Sequence, residues 1–403
     1  MKLSKSSQLV LASAIALVLA TFFTACNLVT IDYVFVASAA GSASGTAGQI
    51  YTYAVDGSSG ALRSVNKPTA TGGAGPIAMA TTSDYYNLYV ANTGNNSVVH
   101  FAISPYSGAL TQKETITLAA KPSAVAVNSA GTYLYVVSGT TSATLTEYAL
   151  SSGVIGSPAA TISLTVPGFT SDMLVPTGVA ALPNGKGVYV AAYDKSAYNP
   201  GGTTTSDANP GWLFGFAAGS GGSLTPVAGS PYQSGVKPSA ITSDPVSRFV
   251  FVTDYSSNEI IGYTVLTNQA LQFMVNGPFK TGNEPSSIAI DPRGLFIYLS
   301  NSLDETVSAY SIALPTGTPS ADVSTAGNAA ITTDTDPVSI TVEPALGRFV
   351  YTANYEGNSV SGFKLNPSDG TIQQTQATPY PTGTNPTVVI AVPHGNHPLS
   401  SPE

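Results

Sequence analysis

Charged side chains are scarce in this sequence: Lys, Arg, Asp and Glu make up 9% of its 403 residues, against roughly 25% in ordinary globular proteins. The net charge is −8, and no run of Lys or Arg occurs. A protein that binds nucleic acid needs a basic surface to release counterions, so no nucleic-acid partner is expected. Hydrophobic residues still make up 43% of the chain, which is enough for a large core and argues against global disorder.

Cysteine and histidine are also rare. Cys26 is the only cysteine, so no intramolecular disulfide can form. The three histidines, His100, His394 and His397, form no His-Glu-x-x-His motif, and no Gly-x-Ser-x-Gly sequence occurs. The motifs of zinc peptidases and of serine hydrolases are therefore missing. We expect His100 to have a structural role within a strand, and we expect neither a metal site nor a cofactor.

The N-terminus has the features of an export signal. Lys2 and Lys5 precede the apolar run Leu9–Phe23, which ends shortly before Cys26. Small residues directly before a single Cys, after such a run, resemble the lipobox of bacterial lipoproteins. The resemblance implies a signal peptide at 1–25, a lipidated Cys26 in the cell envelope, and a short tether at 26–30. An uncleaved anchor helix and a plain signal peptide are the alternatives, and all three readings export the rest of the chain.

A unit of about 50 residues repeats along the chain. Each unit begins at a proline that precedes a short alternating apolar run, and successive prolines are 46 to 62 residues apart. Long, regular spacing of this kind indicates a repeat architecture. The seven prolines that begin the units are Pro76, Pro122, Pro176, Pro238, Pro285, Pro337 and Pro386.

Each unit contains further strand patterns after this first run. A polar turn precedes a second apolar strand, as in "YVFVAS" (33–38) and "FIYLSN" (296–301), and there are seven such strands. A third strand has the pattern aliphatic-x-x-aromatic-x-apolar, and a weaker fourth strand often follows a Gly. Four short strands per unit indicate a β-propeller blade. A parallel β-helix would need shorter coils, and a sandwich would not repeat seven times.

The two ends of the chain each carry part of one unit. Residues 31–38 form a second strand with no first strand before it, whereas 386–393 form a first strand with no second strand after it. Pairing them would complete a blade and leave no open sheet edge. The sequence therefore predicts an all-β fold: a seven-bladed propeller over residues 31–393, closed by its two ends, with a tail at 394–403.

The repeated "YVAN" (89–92), "YTAN" (351–354) and "FVTD" (251–254) are similar to the YVTN-type repeat. Together with the "DP-x-G" turns, they resemble the lactonase-like seven-bladed propellers, a family that includes 6-phosphogluconolactonases and the fungal carboxymuconate cycloisomerase. The resemblance covers about residues 31–393. It implies the fold, and lactone hydrolysis only where the catalytic residues are also present.

Active members of that family carry "GPRH" at the start of a blade and "NE" after its second strand. Arg, His and Glu would supply the charge and the acid–base groups of lactone chemistry. In this sequence no blade-opening proline is followed by Arg-His, and Tyr255 in the fifth blade occupies the position of the Glu. The resemblance therefore implies no catalytic residues in this chain.

A long loop indicates where a ligand would bind. The loops at one face of the predicted propeller mostly have six to ten residues, but Ala191–Gly211 is longer and leads into Trp212, the only tryptophan. Long loops are often functional, although an insertion without a ligand is the alternative. Its aromatic rings are expected to be exposed, unless the loop folds back and buries them. The candidate ligand-binding residues are Tyr193, Asp194, Tyr198, Trp212, Asp254 and Glu259.

Two functions remain open. The first is an exported, lipid-anchored propeller that binds a carbohydrate or a protein at its face, or that acts as a surface scaffold. The alternative is a lactonase that hydrolyses a sugar lactone or another neutral lactone with a different set of residues. The missing Arg, His and Glu favour the first. Acidic residues near the predicted site, including Asp304, Glu305 and Glu356, disfavour a phosphorylated or carboxylate substrate.

Overall fold

The computed structural model describes residues 29–39, 46–168, 173–196, 211–219, 221–325, 327, 329–395 and 399. The predicted signal peptide, Cys26, Tyr198 and most of the predicted tether and C-terminal tail lie outside these residues. The described part of the chain contains β-strands and no helix, and its strands run from Thr30 to Pro393.

The strands form seven antiparallel sheets, one for each sequence unit. Blade 1 contains β1 (Thr30–Ser38), β2 (Gln49–Asp56), β3 (Leu62–Ser64) and β4 (Thr69–Ala70). Blade 2 contains β5 (Pro76–Thr81), β6 (Asn87–Asn92), β7 (Ser97–Ile103) and β8 (Leu110–Thr117). Blade 3 contains β9 (Pro122–Val127), β10 (Tyr133–Ser138), β11 (Thr144–Ser151) and β12 (Val154–Ser163). Blade 4 contains β13 (Leu174–Ala181), β14 (Gly187–Asp194), β15 (Gly211–Ala218), β16 (Leu224–Pro226) and β17 (Tyr232–Gln233). Blade 5 contains β18 (Pro238–Ser243), β19 (Phe249–Asp254), β20 (Glu259–Val265), β21 (Leu271–Phe273) and β22 (Phe279–Lys280). Blade 6 contains β23 (Pro285–Ile290), β24 (Phe296–Asn301), β25 (Thr306–Ala313), β26 (Thr318–Asp322) and β27 (Ile331–Thr332). Blade 7 contains β28 (Pro337–Val342), β29 (Phe349–Asn354), β30 (Ser359–Leu365), β31 (Ile372–Gln374) and β32 (Tyr380–Pro381). The last strand of the chain, β33 (Pro386–Pro393), belongs to blade 1.

The predicted seven-bladed propeller is confirmed. Each blade-opening proline lies in the innermost strand of its blade, and the predicted second and third strands occupy the middle of each sheet. The second strands are almost fully buried, as in β19 and β24, because both of their faces pack against neighbouring blades. This explains their near-continuous apolar sequences, whereas the half-exposed inner strands alternate.

The outer strand is interrupted in five of the seven blades, which the sequence did not indicate. It is continuous only in blades 2 and 3, as β8 and β12. The difference follows from the third strand, where the residue opposite the central aromatic of the second strand is His100 in blade 2 and Glu147 in blade 3. In the interrupted blades this residue is small, and the outer segment bends inward over it. The small residues are Thr52, Gly215, Gly262, Ala309 and Gly362.

Tyrosine hydroxyls link several blades to their neighbours. Tyr89 of blade 2 donates a hydrogen bond to the carbonyl oxygen of Gly153 in blade 3, at 2.6 Å. The same bond joins blades 4 and 5, 6 and 7, and 7 and 1, from Tyr189 to Gln269, from Tyr298 to Gly370 and from Tyr351 to Gly60. A buried tyrosine needs a partner for its hydroxyl, and here that partner lies in the next blade. The recurring Tyr of the "YVAN" pattern therefore ties adjacent blades together.

The two chain ends complete blade 1, as predicted. β33 pairs antiparallel with β1, with Tyr33 opposite Val392 and Ala37 opposite Val388. Because β2 pairs with the other edge of β1, the N-terminal strand lies in the middle of its sheet. The ring is therefore closed by a hydrogen-bond ladder between strands that are separated by the whole chain.

Two buried carboxyl groups lie at the interface between blades 7 and 1. Asp32 in β1 and Glu343 after β28 are both fully buried and interact with each other. Burial, and for Asp32 also the neighbouring Glu343, raises the pKa of both groups. Glu343 accepts hydrogen bonds from the backbone N–H groups of Leu346 and Arg348, at 2.8 and 2.6 Å. Glu343 is therefore the better-stabilised carboxylate, and Asp32 is the member of the pair that keeps a proton.

Replacement of Asp32 by Asn is expected to stabilise the propeller at pH 8. The folded protein keeps protons here that the unfolded chain releases above about pH 4. The stability that the pair contributes is therefore fully present below that pH and is lost as the pH rises through the folded pKa values. The Asn variant cannot ionise, so at pH 8 it should be more stable than the wild type by about 1 kcal/mol or more, since each unit of pKa difference between the folded and unfolded states corresponds to about 1.4 kcal/mol.

Thermal unfolding of both proteins between pH 5 and pH 9 measures this effect. The variant should lose less stability than the wild type across this range. Asp84→Asn is the matched control, because it makes the same substitution in an exposed turn. Parallel pH profiles for Asp32→Asn and the wild type would contradict the prediction.

Candidate functional site

One end of the propeller carries two residues from each blade in equivalent positions. The first residue after the second strand donates its N–H to the carbonyl oxygen of the residue that directly precedes the inner strand of the same blade. Tyr255 donates to Lys237 at 2.9 Å, Ser302 to Glu284 at 2.9 Å, and Tyr355 to Asp336 at 2.7 Å. The same bond occurs at Ala39, Thr93 and Gly139, and in blade 4 Lys195 bonds to Met173. We call these paired positions the upper rim.

Two acidic residues of the upper rim have an unfavourable backbone conformation. Glu284 and Asp336 directly precede blade-opening prolines and have φ angles of 54° and 56°. At the equivalent position of blade 2 the chain has Gly75, with φ of 62°. Glycine adopts this left-handed conformation without strain, whereas other residues carry a cost of order 1–3 kcal/mol, and such residues cluster at functional sites. Carboxylates are therefore held at two positions where glycine would be more stable.

Tyr255 contacts two other side chains of the rim, Glu284 and Lys237. Its hydroxyl donates a hydrogen bond to a carboxylate oxygen of Glu284 at 2.6 Å, and the Lys237 ammonium lies 4.4 Å from the centre of its ring. Burial, followed by the hydrogen bond and the negative charge of Glu284, raises the pKa of Tyr255 to about 12. The phenol therefore stays protonated at neutral pH and keeps donating to Glu284. Lys237 adds a cation–π contact to the same ring.

Asp336 lies among three other carboxyl groups. Burial, followed by the charges of Glu356, Glu284 and Glu305, raises the pKa of Asp336. A carboxyl group with a raised pKa is protonated more readily and can then donate a hydrogen bond or a proton. The collected negative charge at this part of the rim also repels anions.

Neither a metal-binding cluster nor a membrane-spanning helix is present among the residues that the structure describes. No three His, Cys, Asp or Glu side chains there come together in an arrangement that could hold a metal ion. In the same residues, no helix is long and apolar enough to cross a bilayer.

The family of this chain follows from its sequence match over most of its length. The profile described as "Lactonase, 7-bladed beta-propeller" matches residues 67–171 and, in an overlapping match, 108–396. The chain belongs to this lactonase propeller family. No curated protein matches its sequence.

Solved structures of similar proteins show the same fold as this lactonase-family chain. The periplasmic gluconolactonase of Pseudomonas aeruginosa is 17% identical, with a TM-score of 0.73, over 91% of this chain and 100% of that one. A suspected 6-phosphogluconolactonase from Bacteroides uniformis is 18% identical, with a TM-score of 0.71, over 90% and 99%. A protein from Lactobacillus plantarum is 16% identical, with a TM-score of 0.69, over 90% and 100%. At this identity the likeness concerns the fold.

The lactonase-family propeller uses two of the predicted ligand-binding carboxylates to hold its own loops. Asp194 accepts hydrogen bonds from the backbone N–H groups of Met173 and Ser196. Asp254 accepts four hydrogen bonds from backbone N–H groups, two from residues 236–237 before β18 and two from residues 256–257 after β19. Glu259 forms an ion pair with Lys280 at 2.7 Å. Tyr193 is half-buried at the end of β14. A role in ligand binding stays a prediction for all four.

The expected exposure of Trp212 is wrong. Its side chain is 9% exposed and packs in a hydrophobic cluster between blades 3 and 4, with Leu164, Val166 and Leu174. Trp212 lies opposite Ala192 in the sheet, and this small neighbour leaves room for the indole. Tyr198 lies outside the described residues.

Glu284 and Asp336 were not among the predicted site residues. The family's catalytic positions follow the blade-opening proline and the second strand, whereas both of these acids directly precede a proline. The structure brings Glu284 to within 2.6 Å of Tyr255, the residue at the position of the family's Glu. A comparison of the residues before the seven prolines would have found both carboxylates.

Proposed function

We propose that this exported propeller is a binding protein whose upper rim takes a neutral, hydroxyl-rich small molecule of the sugar or sugar-lactone class. The observation that carries the proposal is the contact of Tyr255 with Glu284, next to Asp336. Carboxylates accept hydrogen bonds from hydroxyl groups, and a tyrosine ring offers a face on which a sugar can stack. The strained backbone at Glu284 and Asp336 supports a functional role for these acids.

The charge of the rim narrows the ligand class. The negative charges of Glu284, Glu305 and Glu356 all act on Asp336, so a phosphate or carboxylate would enter a negative field. The sugar phosphates suggested by some relatives' names are therefore disfavoured. A neutral sugar or lactone does not meet this repulsion.

A second candidate function is hydrolysis of a neutral lactone. Glu284 could accept a proton from the attacking water, and Asp336, with its raised pKa, could protonate the ring oxygen that leaves. Lys237 is the nearby cation that could stabilise the oxyanion. The product is a hydroxy acid, and the acidic rim would repel this anion and favour its release.

Calorimetric titration with glucose, gluconate and 6-phosphogluconate tests the binding proposal. We expect glucose to bind at least about tenfold more tightly than either anion, since an uncompensated like charge costs about 1.4 kcal/mol or more. Replacement of both rim acids, by Glu284→Gln and Asp336→Asn, should reduce this preference for the neutral sugar. The double variant Asp84→Asn, Asp369→Asn removes the same two charges from exposed turns outside the rim and is the matched control. Equal binding of the three probes, or an effect of the control alone, would place any ligand elsewhere.

Hydrolysis of glucono-1,5-lactone by the same proteins separates the two functions. A lactonase should release gluconate faster than buffer does, and Glu284→Gln should lower this rate about 100-fold or more, as expected for the loss of a general base. If the wild type hydrolyses the lactone no faster than buffer does but binds glucose, hydrolysis is excluded and the binding function is supported. Activity that survives Glu284→Gln would exclude the mechanism above.

We also propose that the protein lies in the cell envelope, anchored through a lipid on Cys26. The apolar run and the small residues before this Cys support the anchor. The upper rim would then act on molecules outside the cytoplasm, where neutral sugars are available as ligands.

A further inference from the structure

The end of the propeller opposite the upper rim has the opposite charge character. We call it the lower face; it consists of the turns between first and second strands and between third and outer strands. Four cationic residues are exposed at or beside these turns: Arg63, Lys186, Arg348 and Lys364. Among the described residues of these turns, the exposed acids are Asp84 and Asp369, and each accepts hydrogen bonds within its own turn. Among the exposed charged side chains of the lower face, cations therefore outnumber acids four to two, on a protein whose overall charge is −8.

A cavity on this face contains two of the cations. Its volume is about 400 Å³, and Arg348 and Lys364 line it together with Asn366, Thr371 and Gln373. None of its lining residues is acidic. A guanidinium and an ammonium with polar neighbours form a site for a phosphate group, because both donate charge-assisted hydrogen bonds to its oxygens.

The cavity lies beside the point where the N-terminal segment joins the propeller. The Lys364 ammonium donates to the carbonyl oxygen of Ser58 at 3.3 Å, and the neighbouring Gly57 N–H donates to the carbonyl oxygen of Val29 at 2.9 Å. Residues 1–28, with the apolar run and Cys26, continue from Val29. A membrane anchor in that segment would therefore hold this cavity close to the lipid headgroups.

Exposed apolar and aromatic side chains surround the same point. Val29 is 61% exposed and Tyr106 is 64% exposed, and Tyr106 contacts His394, whose backbone N–H bonds to the carbonyl oxygen of Ile31 in β1. Tyrosine is enriched at membrane–water interfaces, where its ring lies among the headgroups and its hydroxyl stays hydrated. An exposed valine and an exposed tyrosine are side chains that can contact the interfacial region of a bilayer.

We propose that the lower face docks on an anionic phospholipid surface and that the cavity of Arg348 and Lys364 takes a headgroup phosphate. The inference rests on the membrane anchoring that the proposed function includes. Docking in this way turns the upper rim away from the bilayer, towards soluble ligands. A cation near an anionic membrane surface strengthens binding about fivefold, so the two cavity cations reinforce the anchor.

Lysine labelling tests the orientation. The full chain is reconstituted through its own N-terminal segment into vesicles of phosphatidylcholine alone, or of phosphatidylcholine with phosphatidylglycerol. Acetylation by a water-soluble active ester is then measured at each lysine by mass spectrometry. On the anionic vesicles we expect Lys364 to react at least about fivefold more slowly than on neutral ones. Lys121, exposed at the upper rim, should react equally on both.

Variants connect the protection to the cavity. Arg348→Gln should remove most of the protection of Lys364, whereas Lys280→Gln, which removes the same charge from the opposite face, should leave it unchanged. Equal labelling of Lys364 on both vesicles, or protection of Lys121 instead, would overturn the inference while leaving the anchor intact. Equal protection by inorganic phosphate without vesicles would assign the cavity to a free anion and overturn lipid docking. A chain that stays in solution with both vesicles would overturn the anchor, and the inference with it.

Discussion

Deletion of residues 386–403 is expected to abolish the folded propeller. The deletion removes β33, which is the inner strand of blade 1 and forms one whole side of the ladder on β1. Three of its valines, Val388, Val389 and Val392, are at most 9% exposed and belong to clusters shared with blades 2 and 7. Burial of each stabilises by roughly 1.5–3 kcal/mol, so their joint loss approaches the 5–15 kcal/mol that holds a typical protein folded.

The shortened chain should lack a cooperative thermal transition and should aggregate, because β1 would be left with an open edge and the apolar side chains of blades 2 and 7 that pack on β33 would be uncovered. Circular dichroism during heating and size-exclusion chromatography measure both effects. A deletion of residues 397–403 keeps β33 and should retain the wild-type melting temperature. A chain without residues 386–403 that melts like the full-length protein would show that the ring does not depend on this closure.

A permuted chain separates the loss of closure from the loss of sequence. In this variant residues 384–395 are moved in front of Val29, so that β33 precedes β1 as an ordinary first strand. Blade 1 would then have the same chain order as the other six blades. We expect this variant to fold, because it keeps every strand pair and only shifts the chain ends to between blades 7 and 1. Failure of the permuted chain to fold would mean that the position of the ends matters beyond strand pairing.

Replacement of Cys26 by Ser is expected to remove the protein from the membrane fraction or to block its processing. Only the thiol of Cys26 can accept the lipid, because the sequence has no other cysteine. Each buried CH₂ group of an acyl chain contributes about 0.8 kcal/mol to membrane binding, so two long chains anchor a protein stably, whereas a single chain binds only reversibly. The loss of both therefore changes retention from nearly complete to nearly absent once the signal peptide is cleaved.

Incorporation of labelled palmitate, intact mass and membrane fractionation measure this change. The wild type should have lost residues 1–25 and gained acyl chains, whereas Cys26→Ser should contain no label. Asn27→Ser is the matched control, since it alters the next residue and keeps the thiol. A Cys26→Ser protein that stays in the membrane with the wild-type mass would exclude the lipoprotein hypothesis and support an uncleaved anchor helix.

The sequence alone predicted the strands that are buried on both faces. The second strands are continuous apolar runs because neighbouring blades cover both of their sides, and a buried run is visible in a sequence whatever its partners are. Ring closure was also predictable, since an incomplete unit at one end matches an incomplete unit at the other. These features depend on local pattern and on counting.

The features that the sequence did not predict depend on contacts between residues that are distant in sequence. The interrupted outer strands follow from the space above Gly215 or Gly262, where a side chain of another segment lies within 3 Å of the position that a Cβ would take. Trp212 is buried because Ala192 opposite it is small, and Tyr255 meets Glu284 only after two blades have packed together. Neither the spacing nor the composition of the sequence contains this information.

The tyrosine bonds between blades make the seven interfaces unequal in their resistance to local opening. Blades 7 and 1 are held by the Tyr351–Gly60 bond, next to the ladder of the two chain ends. Phe35 and Phe251 occupy the position of that tyrosine in blades 1 and 5, and they have no hydroxyl to donate. Backbone amides exchange with solvent where a structure opens transiently, and they do so fastest where few bonds must break. We therefore expect slow exchange at the seam between the chain ends, and faster exchange at interfaces that lack this bond, such as those on the sides of Phe35 and Phe251.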